Sequence, residues 1–330
     1  MKVCNYEGLI LAKGVTMISQ SFIEKFKVPE AAYPYLEQIF TKVEIDFISN
    51  IEKDTFTASD IEELGLGQAE EFIQSSYKRG IISLADEKSE RYKLSDFYGR
   101  LDIFSISETD TYRSFPKEGR EALDNWYFDA YYNGLIQDKN VRPTSDVIMP
   151  LKEVLAFIEE QDRPVYLNFC DCRSLKGDCG LPTRTCITYK NGINSFAHRG
   201  LSERIDKETA KEIVRKADKD GLMHTVNPNG ICNCCEDCCY LFRGQKRRDS
   251  LGFWPETNYV INLDNNSCIS CGKCIRTCHF DVFTKESKVQ ADLSKCVGCG
   301  ICVQGCPTKS LKLNIRQGYT EKFDLIQRSD

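Results

Sequence analysis

The 330-residue sequence predicts an α+β protein in three parts. Helical periodicity followed by a short hairpin pattern marks the first hundred residues, a strand and a helix surrounded by cysteines mark the middle, and a cysteine run that occurs twice marks the end. We therefore predict an N-terminal domain at 1–105, an aromatic helical connector at 106–150, a cysteine-rich α/β domain at 151–257 and a C-terminal domain at 258–330.

The N-terminal part carries the pattern of a winged helix. Apolar side chains recur at helical spacing over residues 33–52, Thr57 or Ser59 can cap a following helix, and Gln68–Lys78 forms another that Gly80 ends. The segments IISLA and RYKLS then bracket a charged turn and predict a hairpin. This order of elements is that of a winged helix.

Charge argues against nucleic acid as the partner of this domain. The whole chain has 44 Lys and Arg against 49 Asp and Glu, and residues 1–100 have 12 against 17, a net charge of −5. Glu70 and Glu71 open the helix that would face the phosphates. A DNA-binding redox sensor is therefore the less favoured hypothesis, and we expect the domain to dock a protein.

The connector concentrates aromatic residues in one amphipathic stretch, FPKEGREALDNWYFDAYYNGL. Such a band is typical of a core or of an interface with another chain. Pro143 and Pro150 then mark the passage into the cysteine-rich part.

Cysteine usage suggests metal or redox chemistry. The opening residues lack the pattern of a signal peptide, and no apolar run reaches eighteen residues, so the sequence predicts a cytoplasmic protein without a membrane segment. In a reducing compartment, 18 cysteines are expected to serve as metal ligands or redox groups rather than as disulfides.

The C-terminal part repeats one metal-binding unit. The run C-x2-C-x2-C-x3-C occurs twice with every member offset by 28 residues, at Cys268, Cys271, Cys274 and Cys278 and again at Cys296, Cys299, Cys302 and Cys306. Paired C-x2-C motifs also occur in zinc ribbons. A zinc site, however, does not require the third cysteine at C-x2-C spacing or the trailing cysteine that both runs contain. The pattern therefore favours iron and sulfide.

Residues 258–315 resemble a bacterial two-cluster ferredoxin, a small electron-transfer domain that holds two [4Fe-4S] clusters. In that family the fourth cysteine of each run ligates the other cluster. The resemblance therefore implies one ligand set of Cys268, Cys271, Cys274 and Cys306 and another of Cys296, Cys299, Cys302 and Cys278. The first run ends in His279 where the pattern has proline. We expect His279 to be a surface residue, with a role beside the cluster as the alternative.

Nine further cysteines lie in the central part, at Cys170, Cys172, Cys179, Cys186, Cys232, Cys234, Cys235, Cys238 and Cys239. Cys170 and Cys172 follow the strand pattern RPVYLNF and are expected at a strand end or turn. An amphipathic helix that stops near Gly221 separates the two groups, so an αβ return could bring their ends together. The acids Glu236 and Asp237 lie between the last cysteine pairs.

This central pattern is similar to that of a group of multidomain iron-sulfur proteins of anaerobes. C-x-C-R, a cysteine before Gly-Leu-Pro, G-L-x-H and I-C-N-C-C occur in order here, and in that group they directly precede a two-cluster ferredoxin domain. We predict at least one further metal centre from the nine thiols, with [4Fe-4S] favoured over structural zinc or free thiols. Nine are too many for one cluster, so a second centre or a redox-active thiol pair stays open.

The predicted function is electron transfer. Low-potential electrons would pass through the two [4Fe-4S] clusters, and through the further centre, to a partner oxidoreductase. An alternative is a reductase or reductive activator with its active site at the central cysteines. The sequence has no Ser-His-Asp set or flavin fingerprint, and it identifies no catalytic residue.

Overall fold

The computed structural model describes residues 9–10, 18–65 and 68–316. The chain divides into two compact units, each with its own core. The first unit consists of Met1–Ala130, Ser174–Lys176 and Asn191–Leu201, and the second of Tyr131–Arg173, Gly177–Lys190 and Ser202–Asp330. The parts predicted as cysteine-rich and ferredoxin-like therefore fall in the second unit, except for Ser174–Lys176 and Asn191–Leu201.

The first unit is largely helical. Its elements are β1 (Leu9–Ile10), β2 (Ile18–Ser19), α1 (Gln20–Phe26), a 3-10 helix (Glu30–Tyr35), α2 (Leu36–Ile39), α3 (Lys42–Asn50), α4 (Ala58–Glu63), α5 (Ala69–Lys78), β3 (Ile82–Leu84), β4 (Tyr92–Leu94), α6 (Phe97–Ser107), α7 (Thr109–Arg113) and the start of α8 (Lys117–Gly134). Phe22, Phe26 and Phe40 pack together in its core, with Phe40 edge-on to the other two rings.

Helix caps in this unit explain which of the predicted helices the structure confirms and which it divides. Thr57 caps α4 in a capping box with Asp60, and Gly80, at φ +75°, follows α5. The helical pattern over residues 33–52 is not one helix, because Phe40 is extended and Thr41 starts α3 with a second capping box. Strands β3 and β4 pair as the predicted hairpin. That these elements form a winged helix stays a prediction.

The second unit contains a larger sheet and a small C-terminal domain. Its elements are β5 (Val147–Met149), α9 (Leu151–Glu160), β6 (Val165–Asn168), the start of α10 (Asp171–Lys176), β7 (Cys186–Thr188), β8 (Glu203–Ile205), α11 (Lys207–Lys219), β9 (Met223–Asn227), β10 (Gly230–Cys234), α12 (Tyr240–Arg248), β11 (Glu256–Thr257), β12 (Tyr259–Leu263), α13 (Lys273–Thr277), β13 (Phe283–Lys285), β14 (Val289–Ala291), a 3-10 helix (Leu293–Lys295), α14 (Ile301–Gln304) and β15 (Leu311–Ile315).

The central sheet corrects one prediction. Across the described residues its strand order is β11-β5-β9-β10-β7-β6-β8, and every neighbouring pair is antiparallel except β11 with β5. The cysteine-rich part is therefore not the α/β domain that we predicted, and the α+β class holds for the chain as a whole. Helices α9 and α11 pack Phe157, Ile158 and Val214 into one core with Val226 and Ile231 of the sheet.

The C-terminal domain preserves the sequence repeat in its structure. Strands β12 and β15 pair antiparallel from Tyr259↔Ile315 to Leu263↔Leu311, and β13 pairs with β14. Helices α13 and α14 each begin after a glycine with a positive φ, Gly272 at +72° and Gly300 at +84°. A left-handed residue at this position suits glycine, which explains why the two runs share it.

The aromatic stretch of the connector divides between the units. Tyr127 is buried in the first unit, where its ring stacks on Tyr98 with centroids 4.0 Å apart. Tyr131 lies beside Tyr240 in the second unit, at 5.8 Å. The expectation of core packing holds for Tyr127. Among the described residues, no helix combines the length and the apolar character needed to cross a membrane.

Candidate metal centres

The structure brings the cysteines of the repeat together in two groups of four. The first cysteine set, Cys268, Cys271, Cys274 and Cys306, lines one small cavity. It combines three members of the first run with the last member of the second. Cys271 is exposed and the other three are half-buried, so the cavity lies at the protein surface.

The second cysteine set, Cys278, Cys296, Cys299 and Cys302, is more deeply placed. Cys296 and Cys302 are buried. Burial, followed by the charges of Cys278, Cys296 and Asp218, raises the pKa of Cys299 to about 12. Burial also raises the pKa of Cys302. These thiols hold their protons without a cation and release them when a metal binds.

Backbone geometry around the second cysteine set suits a metal-bound sulfur. The amide of Gly298 donates to Cys296 Sγ at 3.4 Å. Gly298 has φ +68°, and a Cβ built there would lie 2.1 Å from the carbonyl oxygen of Tyr259. Only glycine lets β12 approach the loop this closely. The amide-to-sulfur contact and the burial of Cys296 and Cys302 together fit an iron-sulfur ligand environment.

Six of the nine central cysteines form a closed cycle of thiol contacts, which we call the thiol ring. Going round the ring, the thiols that interact electrostatically as neighbours are Cys170, Cys172, Cys239, Cys234, Cys232, Cys186 and again Cys170. The sulfurs of Cys234 and Cys239 are 3.3 Å apart. Cys232 is exposed, Cys172 is half-buried and the others are buried.

The sheet assembles the thiol ring. Strands β6, β7 and β10 are close neighbours in the sheet, and they place Cys170 after β6, Cys186 at the start of β7 and two members within β10. Cys170 follows its strand as expected, but Cys172 lies in the first turn of α10 rather than in a turn or strand end. Cys239 is the N-cap residue of α12.

The other three central cysteines form a separate group with one carboxylate. The ligand atoms of Cys179, Cys235, Asp237 and Cys238 all lie within 4.8 Å of one another, and we call this group the Cys3Asp site. The sulfurs of Cys179 and Cys235 are 3.9 Å apart. Sequence reasoning missed Asp237 as a candidate ligand, although its place between two cysteine pairs was a usable signal.

Arg173 lies buried between the two central groups, with 1% of its surface exposed. Its guanidinium donates to the carbonyls of Pro182 at 2.8 Å and Asn233 at 3.1 Å and to Thr185 Oγ1 at 2.8 Å. Its Nη1 also lies 3.6 Å from Cys235 Sγ. A buried cation beside a cysteine cluster lowers the cost of holding several thiolates in the interior. Sequence reasoning noted this arginine within C-x-C-R but assigned it no role.

His279 joins the repeat to the cysteine-rich part of the same unit. Its Nδ1 lies 2.9 Å from Glu236 Oε2, and its Nε2 lies 2.9 Å from the carbonyl oxygen of Gly221. Both partners accept hydrogen bonds, so an imidazolium ring satisfies both contacts. His279 is thus a partly exposed residue, with 24% of its side chain exposed, and both of its ring nitrogens have partners.

We expect His279→Ala to loosen this contact without removing metal from the second cysteine set. Loss of two hydrogen bonds, one to a carboxylate, predicts a decrease of about 1–3 kcal/mol in the free energy of unfolding. Chemical denaturation without oxygen measures the decrease, and iron per chain should stay at the parent value. Lys288→Ala, at an exposed loop position, is the control. Equal stability of parent and His279→Ala would contradict the contact.

An apolar cluster connects the thiol ring with the second cysteine set. Cys234 and Cys239 of the ring belong to the same buried cluster as Val297 and Ile301, and Cys299 packs against that cluster. The rings of Phe242 and Phe280 meet there with centroids 5.6 Å apart. The two thiol groups therefore share one water-poor region of the second unit.

Comparison with protein families matches one part of the chain. Residues 267–310 match the model of the 4Fe-4S dicluster domain family. This confirms a C-terminal ferredoxin-like domain, supports the binding of at least one [4Fe-4S] cluster there and suggests an iron-sulfur electron-transfer role. Comparisons with curated proteins and with solved structures gave no significant match for the chain.

Proposed function

We propose that this protein passes low-potential electrons through two [4Fe-4S] clusters and a further central iron-sulfur centre to a partner oxidoreductase. The first and second cysteine sets would hold the two clusters, and the thiol ring would supply the ligands of the central centre. The main support for this proposal is the apolar cluster that Cys234 and Cys239 share with Cys299. When bound, such clusters supply one-electron redox chemistry over a wide range of potentials.

The surroundings of the two cysteine sets support different roles for them. Cys271 is exposed at the small cavity, so a redox partner can approach the first set closely. Burial of Cys296 and Cys302 keeps water from the second set, and the Gly298 amide donates to sulfur there. Burial and hydrogen bonds to sulfur are the means by which a protein adjusts a cluster's potential.

One observation favours a second candidate function, a reductase or reductive activator with its active site at the thiol ring. Six thiols exceed the four that a [4Fe-4S] cluster uses, and Cys232 is exposed. A spare thiol at the surface could meet a small substrate. Multiple turnover of a thiol or corrinoid substrate that Cys232→Ser abolishes, with electron uptake unchanged, would favour this function over electron transfer alone.

Iron and sulfide per chain test the proposed function. For protein purified without oxygen we expect about twelve irons, four for each cysteine set and four for the thiol ring. The triple variant with Cys172, Cys234 and Cys239 changed to serine should keep about eight irons. Cys274→Ser is the matched control and should lower the iron of the first set while the ring keeps its own. About eight irons in both parent and triple variant would overturn the central iron-sulfur centre.

A further inference from the structure

Each of the two cysteine pairs in CCEDCC, Cys234-Cys235 and Cys238-Cys239, is divided between two groups of thiols. Cys234 and Cys239 belong to the thiol ring and to the apolar cluster around Trp254. Their sequence neighbours Cys235 and Cys238 lie instead in a small buried cluster with Ala217 and Leu222, against which Cys179 packs. The segment therefore supplies two sites from adjacent residues.

The spacing of the Cys3Asp site fits one metal ion. Zinc binds sulfur at about 2.3 Å and carboxylate oxygen at about 2.0–2.2 Å in a tetrahedron, which puts the ligand atoms about 3.3–3.8 Å apart. All four ligand atoms here lie within 4.8 Å of one another, and the sulfurs of Cys179 and Cys235 are 3.9 Å apart. Four ligand atoms at this spacing can all reach one ion.

The charge around the site also fits a divalent ion. Three thiolates and a carboxylate carry four negative charges, so a divalent ion leaves two, and the guanidinium of Arg173 lies 3.6 Å from Cys235 Sγ. Cys235 and Cys238 are buried while Cys179 and Asp237 are half-buried. An ion could therefore enter from the side of Cys179 and Asp237. Thiolates with one carboxylate are a ligand set that zinc accepts.

We propose that Cys179, Cys235, Asp237 and Cys238 form a mononuclear zinc site that is separate from the iron-sulfur ligands. The ion ties the loop after α10 to the turn between β10 and α12. It holds in place the segment that presents Cys234 and Cys239 to the thiol ring. The site uses no cysteine of the ring or of the C-terminal repeat, so it does not depend on the proposed function.

Elemental analysis of the full chain, purified without oxygen, tests the site. We expect about one zinc per chain in the parent, close to none in Cys179→Ser, and unchanged zinc in Cys232→Ser, the matched control from the thiol ring. The iron of the first and second cysteine sets should be the same in all three proteins. A parent without zinc, or one iron per chain lost with Cys179→Ser in place of zinc, would overturn the proposal.

A second measurement keeps the test informative if Cys179→Ser folds poorly. Cobalt(II) added to zinc-depleted parent should give thiolate-to-cobalt charge-transfer absorption and the intense visible bands of a tetrahedral ion. Asp237→Ala should weaken cobalt binding, and Asp237→Cys should restore it with an added thiolate transition. Equal cobalt spectra and affinities in parent, Asp237→Ala and Asp237→Cys would show that Asp237 is not a ligand and would overturn the Cys3Asp site.

Discussion

Gly298→Ala is expected to destabilise the C-terminal domain by about 2–5 kcal/mol, because a left-handed backbone costs about 1–2 kcal/mol with a side chain and overpacking adds about 1–3. A Cβ at this position would lie 2.1 Å from the carbonyl oxygen of Tyr259 and 2.5 Å from its carbon. Both are backbone atoms, so β12 must shift to make room. Because Gly298 follows Val297 and Cys296, the shift should also displace the second cysteine set. Chemical denaturation and iron content, both without oxygen, measure the two effects.

The matched control is Gly252→Ala. Gly252 has φ +83°, and a Cβ there would meet nothing within 4 Å among the described residues. The free energy of unfolding of this variant should decrease only by the cost of the left-handed backbone, about 1–2 kcal/mol, and its iron content should not change. If the two variants lose equal stability and both keep full iron, close approach of β12 is not what requires glycine at 298.

Arg173→Met is expected to destabilise the second unit by about 3–5 kcal/mol, since it removes a buried cation and leaves buried acceptors without a donor. The guanidinium satisfies the carbonyls of Pro182 and Asn233 and contacts Cys235 Sγ. Arg173→Lys keeps the charge but not the planar fork of donors, so its loss should be intermediate. Thermal unfolding of metal-loaded protein, followed without oxygen, gives the order of stability.

Arg184→Met is the control for this prediction. Arg184 forms a surface ion pair with Glu203, and 50% of its side chain is exposed. A surface pair of this kind contributes at most about 1 kcal/mol. A similar loss for Arg173→Met and Arg184→Met would mean that the buried network around Asn233 does not depend on the arginine.

The C-terminal domain could be predicted from the sequence because its information is local. The 28-residue offset reappears as α13 and α14, each preceded by a glycine with positive φ. Capping was likewise readable at Thr57, whereas the cap at Thr41 was not recognised and a continuous helix was expected in its place. Helical periodicity alone does not show such a break, because apolar spacing continues across it.

The central sites could not be predicted because they depend on which strands pair. The antiparallel order β10-β7-β6 joins segments that are far apart in the sequence, and no local pattern specifies it. One part was accessible: in β10, Cys232 and Cys234 point to the same face and Asn233 to the other, as strand alternation requires. Cys235 belongs to the other thiol group because β10 ends at Cys234. The sequence did not predict where this strand ends.

The shared apolar cluster means that the ferredoxin-like domain is not a detachable module. Val297, Ile301 and Phe280 pack on Phe242, Trp254 and Cys234, all of which precede β12 in the chain. Excising the repeat would bring this face into water and would also separate His279 from Glu236. In this chain, exchanging the domain for another would also require redesign of the protein surface that it covers.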